Sequence, residues 1–200
     1  LKQRNAALKA RASSSAIKSW NVEFVELSLA LDESRRRALD VVIDSLLEYG
    51  LALLGTELGF DYQQGWAKEK TLADALAEGV ERDLLLGVTQ HGPHRADLKV
   101  RYDERQARKL VSRGQQKLLA SAMILAATDT AQTALERPLL LLLDDPAAEL
   151  DAESLGRLLD HVKALGCQVV ATSLDRGALD IPQGSSVFHV EHGVLTRIIP

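Results

Sequence analysis

Leu139–Asp151 reads L-L-L-L-L-D-D-P-A-A-E-L-D, five leucines that run directly into two adjacent aspartates. An apolar run of this length, stopped by turn residues, suits a buried strand. A parallel strand delivers its last residues to the sheet edge where ligands bind in α/β folds. At that edge Asp144 is suited to holding Mg²⁺, and Asp145 to polarising an attacking water. Upstream, Val111–Lys117 reads V-S-R-G-Q-Q-K. Ser112 is a natural N-cap and Gly114 a turn residue, so Ser112, Arg113, Gly114 and Gln115 open a helix whose leading N–H groups attract an anion. Asp151 is placed to cap the helix that follows the aspartates. The plain alternatives are a core strand ending in a solvated turn, and an ordinary serine cap.

Two further groups of residues invite chemistry. His91 and His94, with Asp97 nearby, have metal-ligand character. Gly92-Pro93 between them forces a turn, so a shared face is not expected and a hairpin turn is the simpler reading. From Lys99 to Lys117 the cations Lys99, Arg101, Arg105, Arg108, Lys109, Arg113 and Lys117 outnumber Asp103 and Glu104. Such a stretch suits a solvated face or contacts to a phosphate backbone. Arg35-Arg36-Arg37 reads as a surface stripe.

The elements that must position these groups follow from periodicity. Val22, Val25, Leu29 and Leu39, Val42, Leu46 recur at helical spacing, which predicts two long helices over about Leu1–Leu54, broken near Ser13–Trp20 or at Asp32. Leu51–Trp66 alternates and is punctuated by Gly55, Gly59 and Gly65, as a strand region is. Thr71 caps a short helix over Thr71–Asp83. Strands are expected at Leu86–Gln90, Asp97–Tyr102 and Ala107–Val111, and a helix at Gln115–Thr130. Buried strands are expected at Leu139–Leu143 and Gln168–Thr172, with a helix at Asp151–Leu165 between them and a closing hairpin at Val187–Val190 and Val194–Ile199.

Bulk properties bound the class. The 200 residues are 46% hydrophobic and 26% charged, with a net charge of −4, which argues against a uniformly basic nucleic-acid binder but not against a local basic patch. The single cysteine, Cys167, cannot form an internal disulfide, and a reducing cytosol is the simple reading. No apolar run is expected to reach bilayer length, because Asp144 stops the leucine strand. The first residues are helix formers without an N-cap, as if a helix were entered midway, so a piece of a longer protein is expected.

In this order the motifs resemble the second half of an ABC-type ATPase head. Ser112–Gln115 stands for the signature motif, Leu139–Asp145 for the Walker B strand, and Glu149-Leu150-Asp151 for the D-loop. Arg113 replaces a signature glycine, Asp145 replaces the usual glutamate, and Ser173 stands where a switch histidine is customary. A phosphate-cradling G-x-x-x-x-G-K-[ST] is absent from the sequence. The set Gly92-Pro93-His94-Arg95-Ala96-Asp97-Leu98, Ser112-Arg113-Gly114-Gln115-Gln116-Lys117, and Leu143-Asp144-Asp145 with Ala148-Glu149-Leu150-Asp151 resembles the RecF family of bacterial recombination mediators. Gln64-Gly65-Trp66, Glu81-Arg82-Asp83 and Val190-Glu191-His192-Gly193 are similar to that family too, and Arg113 and Asp145 fit its pattern.

The resemblance implies an α/β fold: the C-terminal part of an ABC-type ATPase head with a P-loop NTPase-like sheet, its Walker A half missing, beside an N-terminal helical lobe. Residues 1–84, with a strand region at 51–66, would form the partial helical lobe, and residues 85–200 the ATPase part. It implies ATP and Mg²⁺ as ligands, with Asp144 on the metal, Asp145 catalytic, and Ser112, Arg113, Gly114, Gln115 and Asp151 at the nucleotide. It also implies an ATP-dependent homodimer, DNA at single-strand/double-strand junctions and gaps, RecR- and RecO-type partners, recombinase loading in DNA damage and SOS responses, and a cytoplasmic, nucleoid-associated site with no membrane. Hydrolysis is expected only of the longer protein, weakly and as a dimer. Two other classes share features: the nucleotide-binding subunit of a transporter has the same motif order, and a non-catalytic fragment would only dock a partner.

Overall fold

The first helix, α1 (Lys2–Lys9), ends at Ala10, and Arg11 turns the chain with a left-handed backbone (φ 49°). Ser13 then caps α2 (Ser14–Leu54), its hydroxyl accepting from Ala16 N at 3.3 Å. The computed structural model describes residues 1–102, 105–106, 112–175 and 177–199. At 41 residues α2 is one uninterrupted rod, about 60 Å long at 1.5 Å per residue. Of the two expected break points, only the one near Ser13 is found. Asp32 stays inside the helix because its carboxylate is satisfied there, by Arg36 one turn on (2.8 Å) and by the Tyr62 hydroxyl (2.8 Å). Burial, and then the bond to Asp32, push the Tyr62 phenol above its usual pKa, which keeps it a donor.

The helix also consumes the first part of the region read as strand. It runs through Gly50, where a side chain would meet Leu58 Cδ1 at 2.5 Å, and stops at Gly55 (φ 70°). Strand β1 (Leu58–Gln63) then pairs antiparallel with β2 (Asp97–Tyr102), and β3 (Arg105–Gln106) joins the other edge of β2. The register places Leu58, Phe60 and Tyr62 opposite Tyr102, Val100 and Leu98, one apolar face as the alternation predicts. The strand expected at Ala107–Val111 lies outside the described residues.

Between β1 and β2 stand α3 (Leu72–Glu78) and α4 (Val80–Leu86). Thr71 caps α3 as expected, accepting from Asp74 N at 3.1 Å. Leu72 and Leu76 bury against Phe24, with Val25 and Trp66 packed around them. The strand expected at Leu86–Gln90 is not formed. Leu86 closes α4, Gly87 reverses the chain at φ 66°, and side chains take the backbone donors a strand partner would have met. Thr89 N–H donates to Asn5 Oδ1 and Gln90 N–H to Asp83 Oδ1, both at 2.9 Å.

Helix α5 (Arg113–Leu135) packs along α2 through the stripe Leu118, Ala122, Leu125 and Ala126. It corrects one expectation: its 23 residues, with a window of mean hydropathy 1.2, are long and apolar enough to cross a bilayer by length and composition.

These elements make up one unit, Leu1–Glu136, and Arg137–Pro200 form a second. The lobe boundary expected after Leu84 therefore lies within the first unit, because α5 returns to α2. In the second unit β4 (Leu140–Leu143) pairs in parallel with β5 (Gln168–Ala171), with α6 (Ala152–Ala164) between them in sequence. The hairpin β6 (Val187–Glu191) and β7 (Val194–Ile199) closes the chain as expected. The strands β4 and β5 are not the buried ones predicted. Leu141 is buried, but Leu140 and Leu142 are 56% and 68% exposed and all of β5 is exposed. Each of the two strands has a single neighbour among the described residues, whereas parallel strands ordinarily sit inside a sheet covered on both faces.

Candidate nucleotide site

The two acidic residues stand where the leucine strand ends, and their geometry is set from the neighbouring strand. Register pairs Leu143 with Ala171, which brings Thr172 beside the aspartates. Thr172 N–H donates to Leu143 O at 2.9 Å, continuing the ladder by one residue. Its hydroxyl donates to Asp144 Oδ1 at 2.7 Å and accepts the Asp145 N–H at 3.0 Å. Asp145 adopts a left-handed conformation (φ 42°), uncommon for a residue with a side chain and concentrated at functional turns. A turn bond from Ala148 N–H to Asp145 O (3.1 Å) closes the corner. The Asp144 carboxylate is exposed at this edge, a hard oxygen donor of the kind Mg²⁺ prefers.

After the corner Glu149 is again left-handed (φ 66°), and Asp151 caps α6. Both its carboxylate oxygens are engaged by Ser154, the backbone N–H at 2.8 Å and the hydroxyl at 3.0 Å. The backbone bond first, then the side-chain bond, hold the Asp151 carboxyl below the usual carboxylate range. A pKa lowered on folding stabilises above the unfolded value of about 3.9 and loses that contribution as pH falls through the lower folded value. Asp151→Ala is therefore expected to lower the melting temperature at neutral pH, with the gap to the parent closing in strong acid. Melts of both proteins across that range check this; a gap of the same size at every pH contradicts it.

Ser112 caps α5 as the residue pattern predicts, and the bond is reciprocal. Gln115 N–H donates to Ser112 Oγ (3.2 Å), and Ser112 N–H donates to Gln115 Oε1 (2.8 Å). Gln115 Nε2 donates in turn to the Tyr102 hydroxyl at 3.1 Å, fixing the start of the helix to the end of β2. Arg113 and Gly114 form its first turn. Of the basic stretch, Lys99 lies opposite Asp61 and Arg101 opposite Gly59, while Lys109 and Arg108 lie outside the described residues.

Among the described residues His91 and His94 belong to no group of three ligating side chains. Nor is Gly92–Arg95 a hairpin turn. Pro93–Arg95 form a short 3₁₀ turn between α4 and β2, because the chain before it is helix rather than strand. Gly92 (φ 139°) leaves no room for a side chain beside Phe24 Cζ, and a side chain at Gly65 (φ 96°) would meet Gly92 O at 2.2 Å. His94 Nε2 lies 2.9 Å from Thr89 O and so carries the proton, and Arg35 donates to Pro93 O at 2.6 Å.

Sequence reasoning missed two features. Arg4 and Asp83 form a fully buried ion pair at 2.7 Å, with Arg4 also donating to Thr89 Oγ1 (2.6 Å) and Asn21 Oδ1 (2.8 Å). Thr172 is the other. Its signal in the sequence is its place at the end of the strand expected over Gln168–Thr172, next to Ser173, whose hydroxyl donates to Asp175 O (2.7 Å).

A parallel pair with an acidic edge, preceded in the chain by a serine-capped helix, follows the motif order of the second half of an ABC-type ATPase head, and the fold is shared with solved RecF structures. The recombination mediator protein RecF-ATP of the RecFOR pathway superposes with a TM-score of 0.81 at 21% identity, covering all of this chain and 56% of that one. The RecF-ATPrS structure gives 0.80 with the same coverage. In sequence the chain is 37% identical over 196 residues to the DNA replication and repair protein RecF of Thioalkalivibrio sulfidiphilus, covering 96% of this chain and 54% of the relative. RecF of Hydrogenovibrio crunogenus is 34% identical over 202 residues, with 98% and 56% covered. RecF of Cronobacter sakazakii is 35% identical over 199 residues, again with 98% and 56% covered. No family model matches. The chain thus spans about half the length of the curated relatives it matches, and corresponds to the C-terminal portion of RecF-type proteins, as its motifs led us to expect.

Proposed function

We propose that this chain is the catalytic-edge and signature half of a RecF-type DNA replication and repair ATPase, which binds ATP between two copies and engages DNA in that state. The observation that carries this reading is the Asp144-Asp145 corner at the end of a parallel strand, held in shape by Thr172. Mg²⁺ at Asp144 would neutralise charge on the phosphate oxygens. Asp145 accepts a hydrogen bond from the attacking water and orients it towards the phosphorus. Ser112, Arg113, Gly114 and Gln115 present the start of α5 to nucleotide held by the other copy, where N–H dipoles favour negative charge. Asp151 fixes the D-loop corner through its cap.

DNA contact is assigned to the basic stretch from Lys99 to Lys117. With a net charge of −4 a single copy attracts DNA weakly, and two copies brought together sum their local fields. Gapped DNA and single-strand/double-strand junctions, RecR- and RecO-type partners, and a cytoplasmic setting are the context the resemblance supplies.

Ser112→Arg in the full-length protein tests the arrangement. A bulky cation at the cap removes the hydroxyl that accepts from Gln115 N–H and blocks the approach of a second subunit. ATP-dependent dimerisation, followed by light scattering, and ATP-dependent DNA retention are expected to be lost together, while the monomer still binds nucleotide. Dimerisation that survives, or nucleotide binding that fails in the monomer, contradicts the reading.

A further inference from the structure

We propose that Thr172 is a positioning residue for the acidic pair: its hydroxyl aims the Asp144 carboxylate at the metal and pins the Asp145 backbone in its left-handed turn. The inference rests on the proposed roles of Asp144 and Asp145, and adds a third residue, just past the end of β5, that neither role by itself names.

Three bonds converge on this one side chain and its backbone. Thr172 N–H holds Leu143 O at 2.9 Å, so the threonine cannot slide along the strand pair. Its Oγ–H donates to Asp144 Oδ1 at 2.7 Å, which leaves Oδ2 and the remaining lone pair of Oδ1 for a cation. Its Oγ accepts the Asp145 N–H at 3.0 Å, on a residue whose φ of 42° needs support from its surroundings. A hydroxyl does both at once, as it has one proton to donate and lone pairs to accept. Valine, the same shape without the oxygen, does neither. Outer partners that orient a ligating carboxylate are typically worth about 10–100-fold in metal affinity. Since Thr172 is exposed, its loss is expected to be felt in the geometry of the acidic corner rather than in the core.

The test uses the full-length protein with Mn²⁺ as the probe, bound in the presence of a non-hydrolysable ATP analogue and read by electron paramagnetic resonance. Thr172→Val is expected to weaken Mn²⁺ binding about 10–100-fold, to leave metal-free nucleotide binding and the melting temperature near those of the parent, and to slow hydrolysis. Thr172→Ser, which keeps the hydroxyl, is expected to behave as the parent. If Thr172→Val proves unstable, Thr172→Ala carries the same comparison. Parent-like Mn²⁺ binding by Thr172→Val, beside weakened binding by Asp144→Ala, overturns the inference and leaves the Asp144 assignment standing. Parent-like binding by Asp144→Ala as well removes the metal site and the inference with it. Equal weakening in the valine and serine variants would assign the effect to packing rather than to the hydroxyl, and also overturns it.

Discussion

In the full-length protein Asp145→Asn is expected to bind ATP as the parent does and to hydrolyse it about 10²–10⁴-fold more slowly, the range a positioned general base contributes. The substitution is chosen so that little else changes. Asparagine tolerates the left-handed conformation that Asp145 adopts (φ 42°) better than any other side chain of its size. The bond to Thr172 uses the backbone N–H of residue 145 and is retained. What is lost is the negative charge proposed to polarise the attacking water. Single-turnover hydrolysis, measured beside equilibrium binding of a fluorescent ATP analogue, separates the two effects. Unchanged turnover would remove Asp145 from the chemistry; lost binding would show that it belongs to the nucleotide pocket instead.

Asp83→Ala is expected to be the most damaging single change to stability. Arg4 and Asp83 are both fully buried, and removal of the carboxylate leaves a guanidinium without its counter-charge, at a cost of about 3–5 kcal/mol. Gln90 N–H loses its acceptor at the same time. The paired change Arg4→Met with Asp83→Leu is expected to be far milder, since a buried ion pair replaced as a whole by apolar groups is often close to neutral. Urea unfolding of the parent, the single variant and the double variant gives the comparison. A loss below about 1 kcal/mol for Asp83→Ala, or a double variant worse than the single, would show that this pair does not hold α1 to α4.

How much of this was legible from residues alone depended on the range of the interaction. Caps are local, and Ser112, Thr71 and Asp151 each behave as their sequence contexts imply. The same holds for the β4–α6–β5 crossover and the closing hairpin, where turn residues and alternation lie within a few positions of each other. The failures were of two kinds. Leu86–Gln90 carries an apolar pattern short enough for either strand or helix, and it was decided by Asp83 and Asn5, which claim its backbone donors from elsewhere in the fold. Arg4 and Asp83 are 79 residues apart, and nothing in an isolated arginine announces burial. Burial of β4 and β5 was overestimated for a related reason. Five leucines specify an apolar strand, but how many faces are covered depends on elements the strand itself does not encode.

Asp144-Asp145 and the Ser112 cap lie in different units of the chain, and the central claim is that each completes a nucleotide site with a second copy. Mixing two full-length variants, Ser112→Ala, which removes the cap hydroxyl without a blocking cation, and Asp145→Asn, tests it most directly. Each is expected to be nearly inactive alone, the first for want of a signature and the second for want of a catalytic carboxylate. On the proposed arrangement, the intact Asp145 of one subunit of a mixed dimer would face the intact Ser112 of the other, so one complete site would be restored. The account predicts ATP hydrolysis by the mixture well above the sum of the separate proteins. Activity that stays at that sum, with mixed dimers demonstrated by a tag on one variant, would contradict it.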